Sequence, residues 1–232
     1  NYAYMKENGD ADEQVEQDKE EALKYYKMAA DEGHSIAMYN YGFMLLSGEG
    51  VKADPDEAAK YFKNSADLGN VASMFNYAVL LDKGEKIQQN KKEAAVYYKM
   101  AADKGDLDAM NNLASLLEDG ADGVEANKQE AARFLKMAAD EGHSNAMFNY
   151  ASMLLNGDGI ERNAEEAASY FKMAADLGNI EAMREYSRMA NIGVGTAKNM
   201  EEAKHYLIMA AENDEADENE NQQKLNRLLD FN

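Results

Sequence analysis

The chain contains no cysteine and no tryptophan, and its single proline is Pro55. Without cysteine, disulfides, thiolate catalysis and zinc–thiolate sites are excluded. The same absence suits the cytoplasm, although an oxidising secretory lumen does not demand bridges. No apolar run approaches the roughly 20 residues that a membrane-spanning helix needs. The opening Asn1-Tyr2-Ala3-Tyr4-Met5-Lys6-Glu7 has none of the apolar core of a signal peptide. Positive charge is scarce too: 24 Lys and Arg stand against 44 Asp and Glu, a formal net charge of −20 over 232 residues. Such a chain repels phosphate backbones, which argues against a nucleic-acid partner and favours a basic protein or peptide. What is present, 45% hydrophobic and 29% charged residues with 16 glycines, is the composition of a folded protein rich in glycine-marked helix ends.

The dominant signal is internal repetition. Glu-Ala recurs at Glu21-Ala22, Glu57-Ala58, Glu93-Ala94, Glu130-Ala131, Glu166-Ala167 and Glu202-Ala203, at separations of 36, 36, 37, 36 and 36. Met38, Met74, Met110, Met147 and Met183 keep step, and the extra residue falls in Gly120-Ala121-Asp122-Gly123. Within one unit, Ala37, Met38, Tyr41, Gly42, Met44 and Leu45 follow a helical period, and Gly48 stands where a left-handed cap belongs. A second helix begins after Asp54, with Ala58, Ala59, Tyr61, Phe62, Ser65 and Ala66 as its apolar stripe. Asp18, Asp54, Asn90, Asn127, Asn163 and Asn199 each precede one of the repeated glutamates by three residues. This is capping-box spacing, in which the cap accepts from an orphan N–H and the Glu reaches back. Gly42, Ala78, Ala114, Ala151 and Ser187 let helices approach closely, and paired bulky residues such as Tyr61-Phe62 fill the space between units. A unit this short cannot bury its own apolar face, so units must stack. The expected fold is all-α, a right-handed α-solenoid of stacked two-helix repeats.

The pattern Ala37-x-x-x-Tyr41-Gly42-x-x-Leu45-x-x-Gly48-x-Gly50-Val51, then Asp54-x-x-x-Ala58-x-x-Tyr61-Phe62-x-x-Ser65-Ala66-x-x-Gly69, resembles the Sel-1-like repeat. The Gly-x-Gly-Val/Ile loop and the longer period separate it from the tetratricopeptide repeat. Two copies depart: Lys86 replaces the second loop glycine in one, and another reads Gly193-Val194-Gly195-Thr196. The array is expected over residues 18–214. Residues 1–17 read as the tail of a first repeat cut short, which implies a fragment of a longer array. Residues 215–232 read as an acidic linker followed by an amphipathic capping helix through Leu225, Leu228 and Leu229.

Four sets of equivalent first-helix positions vary between units, led by Tyr39/Phe75/Asn111/Phe148/Arg184 and Phe43/Val79/Ser115/Ser152/Arg188. Their spacing places them on one side of the first helix. Stacking would line that side into a concave groove, with Tyr39, Phe43, Phe75 and Phe148 as apolar contacts and Arg184 and Arg188 as a basic pair. The competing reading is that some of these aromatics pack on neighbouring units. Asn40, Asn76, Asn112 and Asn149 border the groove and suit either a ladder gripping a peptide backbone or hydrogen bonds inside the solenoid. On the second helices Asp31, Asp67, Asp103, Asp140 and Asp176 lie four residues after Lys27, Lys63, Lys99, Lys136 and Lys172, the arrangement of a solvated face of ion pairs.

Reactive groups do not converge, and neither catalytic nor metal-binding residues nor a cofactor are expected. His34 and His143 read as loop or cap residues, and His205 is isolated. Ser169 and Lys172 match Ser-x-x-Lys by chance of the repeat. Asp10, Asp12, Gln14 and Glu21 have calcium-loop spacing, but Val15 stands where that loop needs glycine. The resemblance therefore implies an interaction scaffold or adaptor rather than an enzyme. The alternative is the repeat portion of a larger enzyme, such as a kinase or ubiquitin-ligase component.

Overall fold

The computed structural model describes residues 2–9 and 17–229, with side chains as far as Asp214. These residues form the helices α1 (Tyr2–Asn8), α2 (Lys19–Asp31), α3 (Ser35–Ser47), α4 (Pro55–Asp67), α5 (Val71–Lys83), α6 (Lys91–Ala102), α7 (Leu107–Asp119), α8 (Lys128–Asp140), α9 (Ser144–Asn156), α10 (Ala164–Asp176), α11 (Ile180–Ile192) and α12 (Met200–Leu229). Among the described residues there is no strand. One isolated bridge, Ala121 with Val124, lies in the loop that carries the extra residue. The fold is an all-α solenoid of two-helix repeats. It divides into two compact units, Asn1–Ala126 and Asn127–Asn232. In the first, α1 to α7 pack each on the next; in the second, α8 to α12 do the same.

The six expected caps form. Asp18, Asp54, Asn90, Asn127, Asn163 and Asn199 each accept from the backbone N–H of the glutamate three residues on, at 2.9–3.1 Å. The glutamates do not reach back to the cap N–H, as a capping box would have it. That N–H is already taken: those of Asp54, Asn90, Asn163 and Asn199 donate to the carbonyls of Leu45, Leu81, Leu154 and Ala190, nine residues earlier, at 2.8–2.9 Å. Glu93, Glu130, Glu166 and Glu202 instead accept from the side-chain amide of their own Asn cap. At these four positions the cap residue thus starts the second helix and pins it to the end of the first.

The core runs between paired helices. Phe62, Phe134 and Phe171 are fully buried, with alanines at the repeated glutamate-alanine positions beneath them. At Gly42 an added Cβ would sit 3.2 Å from the Phe62 ring, so the small residue there is a packing requirement. Ser65 and Ser73 replace the alanines found elsewhere at these positions. Ser73 donates to Ser65 Oγ and Ser65 to the Ser35 carbonyl, both at 2.7 Å, so the buried hydroxyls are satisfied.

The second helices α2, α4, α8 and α10 are followed by glycines with φ of +91 to +95°, and Gly105 after α6 matches them. Asp214 stands 36 residues after Gly178, and α12 continues through it to Leu229. Without a residue that adopts a positive φ cheaply, the chain keeps the helix it already has. The expected amphipathic face at Leu225, Leu228 and Leu229 lies outside the described side chains.

Candidate functional site

The densest polar constellations are on the second helices, where sequence reasoning expected solvated ion pairs. Lys27–Asp31, Lys63–Asp67, Lys99–Asp103 and Lys136–Asp140 do pair, at 2.7–3.2 Å. Lys172 departs, binding Glu202 at 2.6 Å and the Tyr206 hydroxyl at 3.0 Å. The aspartates have a second partner that the pattern of ion pairs did not announce. Tyr61, Tyr97, Tyr170 and Tyr206 each donate to the aspartate 30 residues earlier, on the preceding repeat: Asp31 at 3.2 Å, Asp67 at 2.8 Å, Asp140 at 2.6 Å and Asp176 at 2.5 Å. The same tyrosines stand edge-on to Tyr41, Tyr77, Tyr150 and Tyr186 of their own repeats, with centroids 4.7–5.1 Å apart. These groups clasp one repeat to the next. The signal was legible as a fixed spacing of 30 between Asp and Tyr. It lapses at Phe134, which has no hydroxyl.

The clasps perturb ionisation in the direction of their contacts. The Lys63 ammonium, then the Tyr97 hydroxyl, hold the Asp67 carboxyl below the usual carboxylate range. For Asp140 the Tyr170 hydroxyl leads and Lys136 follows. Burial, then Glu93, pushes Tyr77 up to about 12. These are charge-assisted structural bonds, each with its acid and base already paired.

A second clasp fastens the loops. Glu49 of the Gly48-to-Val51 loop binds Lys19 Nζ at 2.7 Å, and Asp158 in the equivalent loop binds Lys128 at 3.1 Å. The glycine beside each comes so close that a Cβ would lie 2.8 Å from backbone, that of Lys19 for Gly50 and of Lys128 for Gly159.

The first-helix face expected to meet a partner is partly occupied by the solenoid itself. In the first unit Tyr39 and Phe75 are half-buried, with ring centroids 5.8 Å from Phe62 and 6.0 Å from Tyr98. Phe43 is 45% exposed. Asn112 donates to the Tyr98 hydroxyl at 3.4 Å, and Asn40 lies beside the Tyr26 phenol, which donates to Glu7 at 2.7 Å. Asn76 faces the position of Phe62, which has no hydroxyl, and donates to the Ala72 carbonyl instead. In the second unit Phe148 is half-buried 5.5 Å from Phe171, and Asn149 beside it is also half-buried. Arg184 binds Asp214, and Arg188 binds Glu185 at 2.8 Å. The structure thus brings Tyr39 and Phe43 together on α3, and Arg184 and Arg188 together on α11.

His143 Nδ1 accepts from the Ala146 N–H as the cap of α9, while His34 occupies the same cap position without such a bond. Lys172 is committed to Glu202 and Tyr206, away from any role with Ser169. Among the described residues no cluster of His, Asp and Glu is arranged to hold a metal ion. Asp10, Asp12 and Gln14 lie outside the described residues, and Glu21 pairs with Lys6 at 2.8 Å. No described helix is long and apolar enough to cross a membrane.

With this geometry in view, the comparisons with known proteins agree on one family. The family model described as Sel1 repeat matches residues 1–34, 35–70, 71–106, 107–143, 144–179 and 180–215. Among solved structures, the Sel1 repeat protein from Oxalobacter formigenes is 30% identical, over 90% of this chain and 82% of its own, with a TM-score of 0.75. The protein c5321, a protective antigen present in uropathogenic Escherichia coli strains displaying an SLR fold, is 22% identical over 94% of this chain and 56% of its own, at 0.55. The immunity protein PA5088 from Pseudomonas aeruginosa is 19% identical over 91% of this chain and 78% of its own, at 0.50. The last two likenesses concern the fold alone. No match was found among curated proteins.

Proposed function

The chain belongs to the Sel1 repeat family, and from that premise we propose that it is an adaptor holding a peptide or protein segment on the face built by its first helices. Repeats of this family generally mediate protein–protein interaction, and their proteins are typically non-enzymatic scaffolds. The observation that carries the finer reading is how the side chains are used. On the second helices Tyr61, Tyr97, Tyr170 and Tyr206 and their aspartates are engaged in clasps between repeats, and the large apolar side chains exposed there, Met28, Val96, Met137 and Met173 among them, are mostly flexible or aliphatic. The first helix α3 exposes an aromatic ring, Phe43, beside Tyr39, their rings 6.5 Å apart. An exposed ring next to a half-buried one is an apolar contact that costs little to desolvate and loses little entropy on binding.

Affinity capture with the intact chain tests this, read by mass spectrometry against Phe43→Ser and Arg184→Ala/Arg188→Ala variants of unchanged melting temperature. Loss of the same captured protein from either variant supports a first-helix site on that unit. A capture profile that ignores both sets of substitutions removes the first-helix face from consideration.

A further inference from the structure

Between repeats 35–70 and 71–106 both halves of the loop clasp are missing. Lys86 stands where its neighbours have Gly50 and Gly123, and Pro55 stands where they have Lys19 and Lys91. The glycine approach is sterically closed to Lys86, because even a Cβ at Gly50 would meet the Lys19 backbone at 2.8 Å. Pro55 offers no ammonium to draw in Glu85 as Lys19 draws in Glu49. The loop therefore carries an exposed Lys86 beside the C-terminal end of α5. Between that end and the end of α3 lies a recess of about 210 Å³, walled by Leu46, Val79 and Leu80 and rimmed by Lys83, Glu85 and Lys86.

We propose that this recess is a side-chain pocket for a peptide partner, taking one aliphatic or aromatic residue flanked by acidic ones. The inference rests on the first-helix reading above and narrows it to a sequence class. Size supports the occupant: the volume is below the roughly 300–1,000 Å³ of small-molecule sites and suits a single side chain. Position supports it as well. Tyr39, Phe43 and Leu46 follow one another at helical spacing along α3, so a segment lying on the exposed Phe43 ring reaches the recess within its next residues. Charge decides the flanks. Lys83 and Lys86 are exposed and engage in no ion pair or hydrogen bond, whereas Glu85 is a single opposing charge. The chain as a whole attracts basic partners by its −20 charge. At this rim a basic flank would meet two unpaired ammonium groups, and an acidic flank would pair with them. The local preference is therefore opposite to the global one.

Random peptides of about twelve residues, displayed on phage and selected on the intact chain, provide the probe. The recovered peptides are expected to share a Leu, Met or Phe with Asp or Glu within about three positions. Binding of a recovered peptide, followed by fluorescence anisotropy, should fall about tenfold in Val79→Asp and several-fold in Lys83→Glu/Lys86→Glu. Both lysines are exposed, so that variant keeps the test alive should Val79→Asp unfold. Methyl NMR should show Leu46 and Val79 shifting on peptide addition. Recovered peptides that bind Lys83→Glu/Lys86→Glu as well as wild type and leave those methyl signals in place overturn the pocket, with the adaptor reading intact. Selection of no peptide at all by the folded chain overturns the peptide-binding reading and the pocket with it.

Discussion

The two units carry the same architecture and present different faces. In both, Asn or Asp caps start the second helices, a buried phenylalanine anchors the core, and Tyr–Asp bonds join successive repeats. On the first helices and the loops that follow them they diverge. The first unit exposes Phe43 and leaves Lys83 and Lys86 unpaired, whereas the second has Ser152 at the position of Phe43 and ties Arg184 and Arg188 to Asp214 and Glu185. Positions that must bury area or satisfy a hydrogen bond vary little, as with Ser65 for alanine or Phe134 for tyrosine. Positions that face solvent are free to differ, and it is there that a partner would find one unit distinct from the other.

The sharpest test of the shared part is to remove the anchor from each unit. Phe62→Ala and Phe171→Ala should each cost about 3–5 kcal/mol, since both rings are fully buried and leave a cavity. Leu154→Ala and Tyr97→Ala should follow at about 2–5 kcal/mol. Denaturant melts monitored by circular dichroism measure these. A large inequality between Phe62→Ala and Phe171→Ala would break the claim that the two cores are equivalent.

Next in size is a pair of residues that departs from the alanine rule. Ser65→Ala strands the buried Ser73 hydroxyl and should cost roughly 1–3 kcal/mol. Ser73→Ala should cost less, because Ser65 keeps the Ser35 carbonyl. The double alanine restores what the other repeats have and should be close to wild type, giving a large coupling in a double-mutant cycle. Additive losses would mean that the serines do not act as a pair.

Much of this was legible in the sequence. The 36-residue spacing, the caps and the small residue at Gly42 each follow from local rules that one chain repeats often enough to expose. The reach-back of the glutamates was misread, because the capping-box rule sees one helix and not the Leu45 carbonyl that satisfies the Asp54 N–H from the helix before. The aspartate column was read only through its lysine four residues away. Its tyrosine lies 30 residues on, a relation that no helical period generates. Asn112 admitted two readings because an amide suits peptide or phenol equally, and the residue that decides, Tyr98, sits on another repeat. The pocket residues were visible as a broken motif at Lys86, but a missing glycine does not by itself say what opens beside it.

The clasps predict a smaller and pH-dependent effect. Tyr97→Phe and Tyr170→Phe should each cost about 1 kcal/mol, comparable to loss of the cap in Asn127→Ala at roughly 0.5–2 kcal/mol. Asp67 and Asp140 have carboxyls held below their ordinary range, so their contribution is complete above about pH 4 and is lost as pH falls through the depressed folded value. Tyr77 works in the other direction. Raised to about 12, it favours the fold below about pH 10 and loses that contribution as pH climbs through 12. Melting temperature against pH should show an acid limb that is shallower in Tyr97→Phe and Tyr170→Phe than in wild type. Identical limbs would show that the phenols do not hold the aspartates.

The smallest effect sharpens the comparison most directly, because it concerns the cations that separate the two faces. Arg188 and Glu185 are about half-exposed partners three residues apart on one helix, and Arg184 with Asp214 is similarly open to solvent. Exposed pairs of this kind contribute about 0–1 kcal/mol, and salt screens them. Arg184→Ala and Arg188→Ala should therefore lower stability slightly in dilute buffer and not at all in about 1 M salt, where the screening length falls to roughly 3 Å. Lys83→Ala and Lys86→Ala have no pair to lose and should be neutral at both salt concentrations. Parallel melts of the four variants at the two concentrations settle the point. A loss of more than about 2 kcal/mol that survives high salt would mean that the arginine stems are packed as apolar surface. In that case the second unit's face is closed by its own side chains, and a partner has only the first unit's aromatics and lysines to meet.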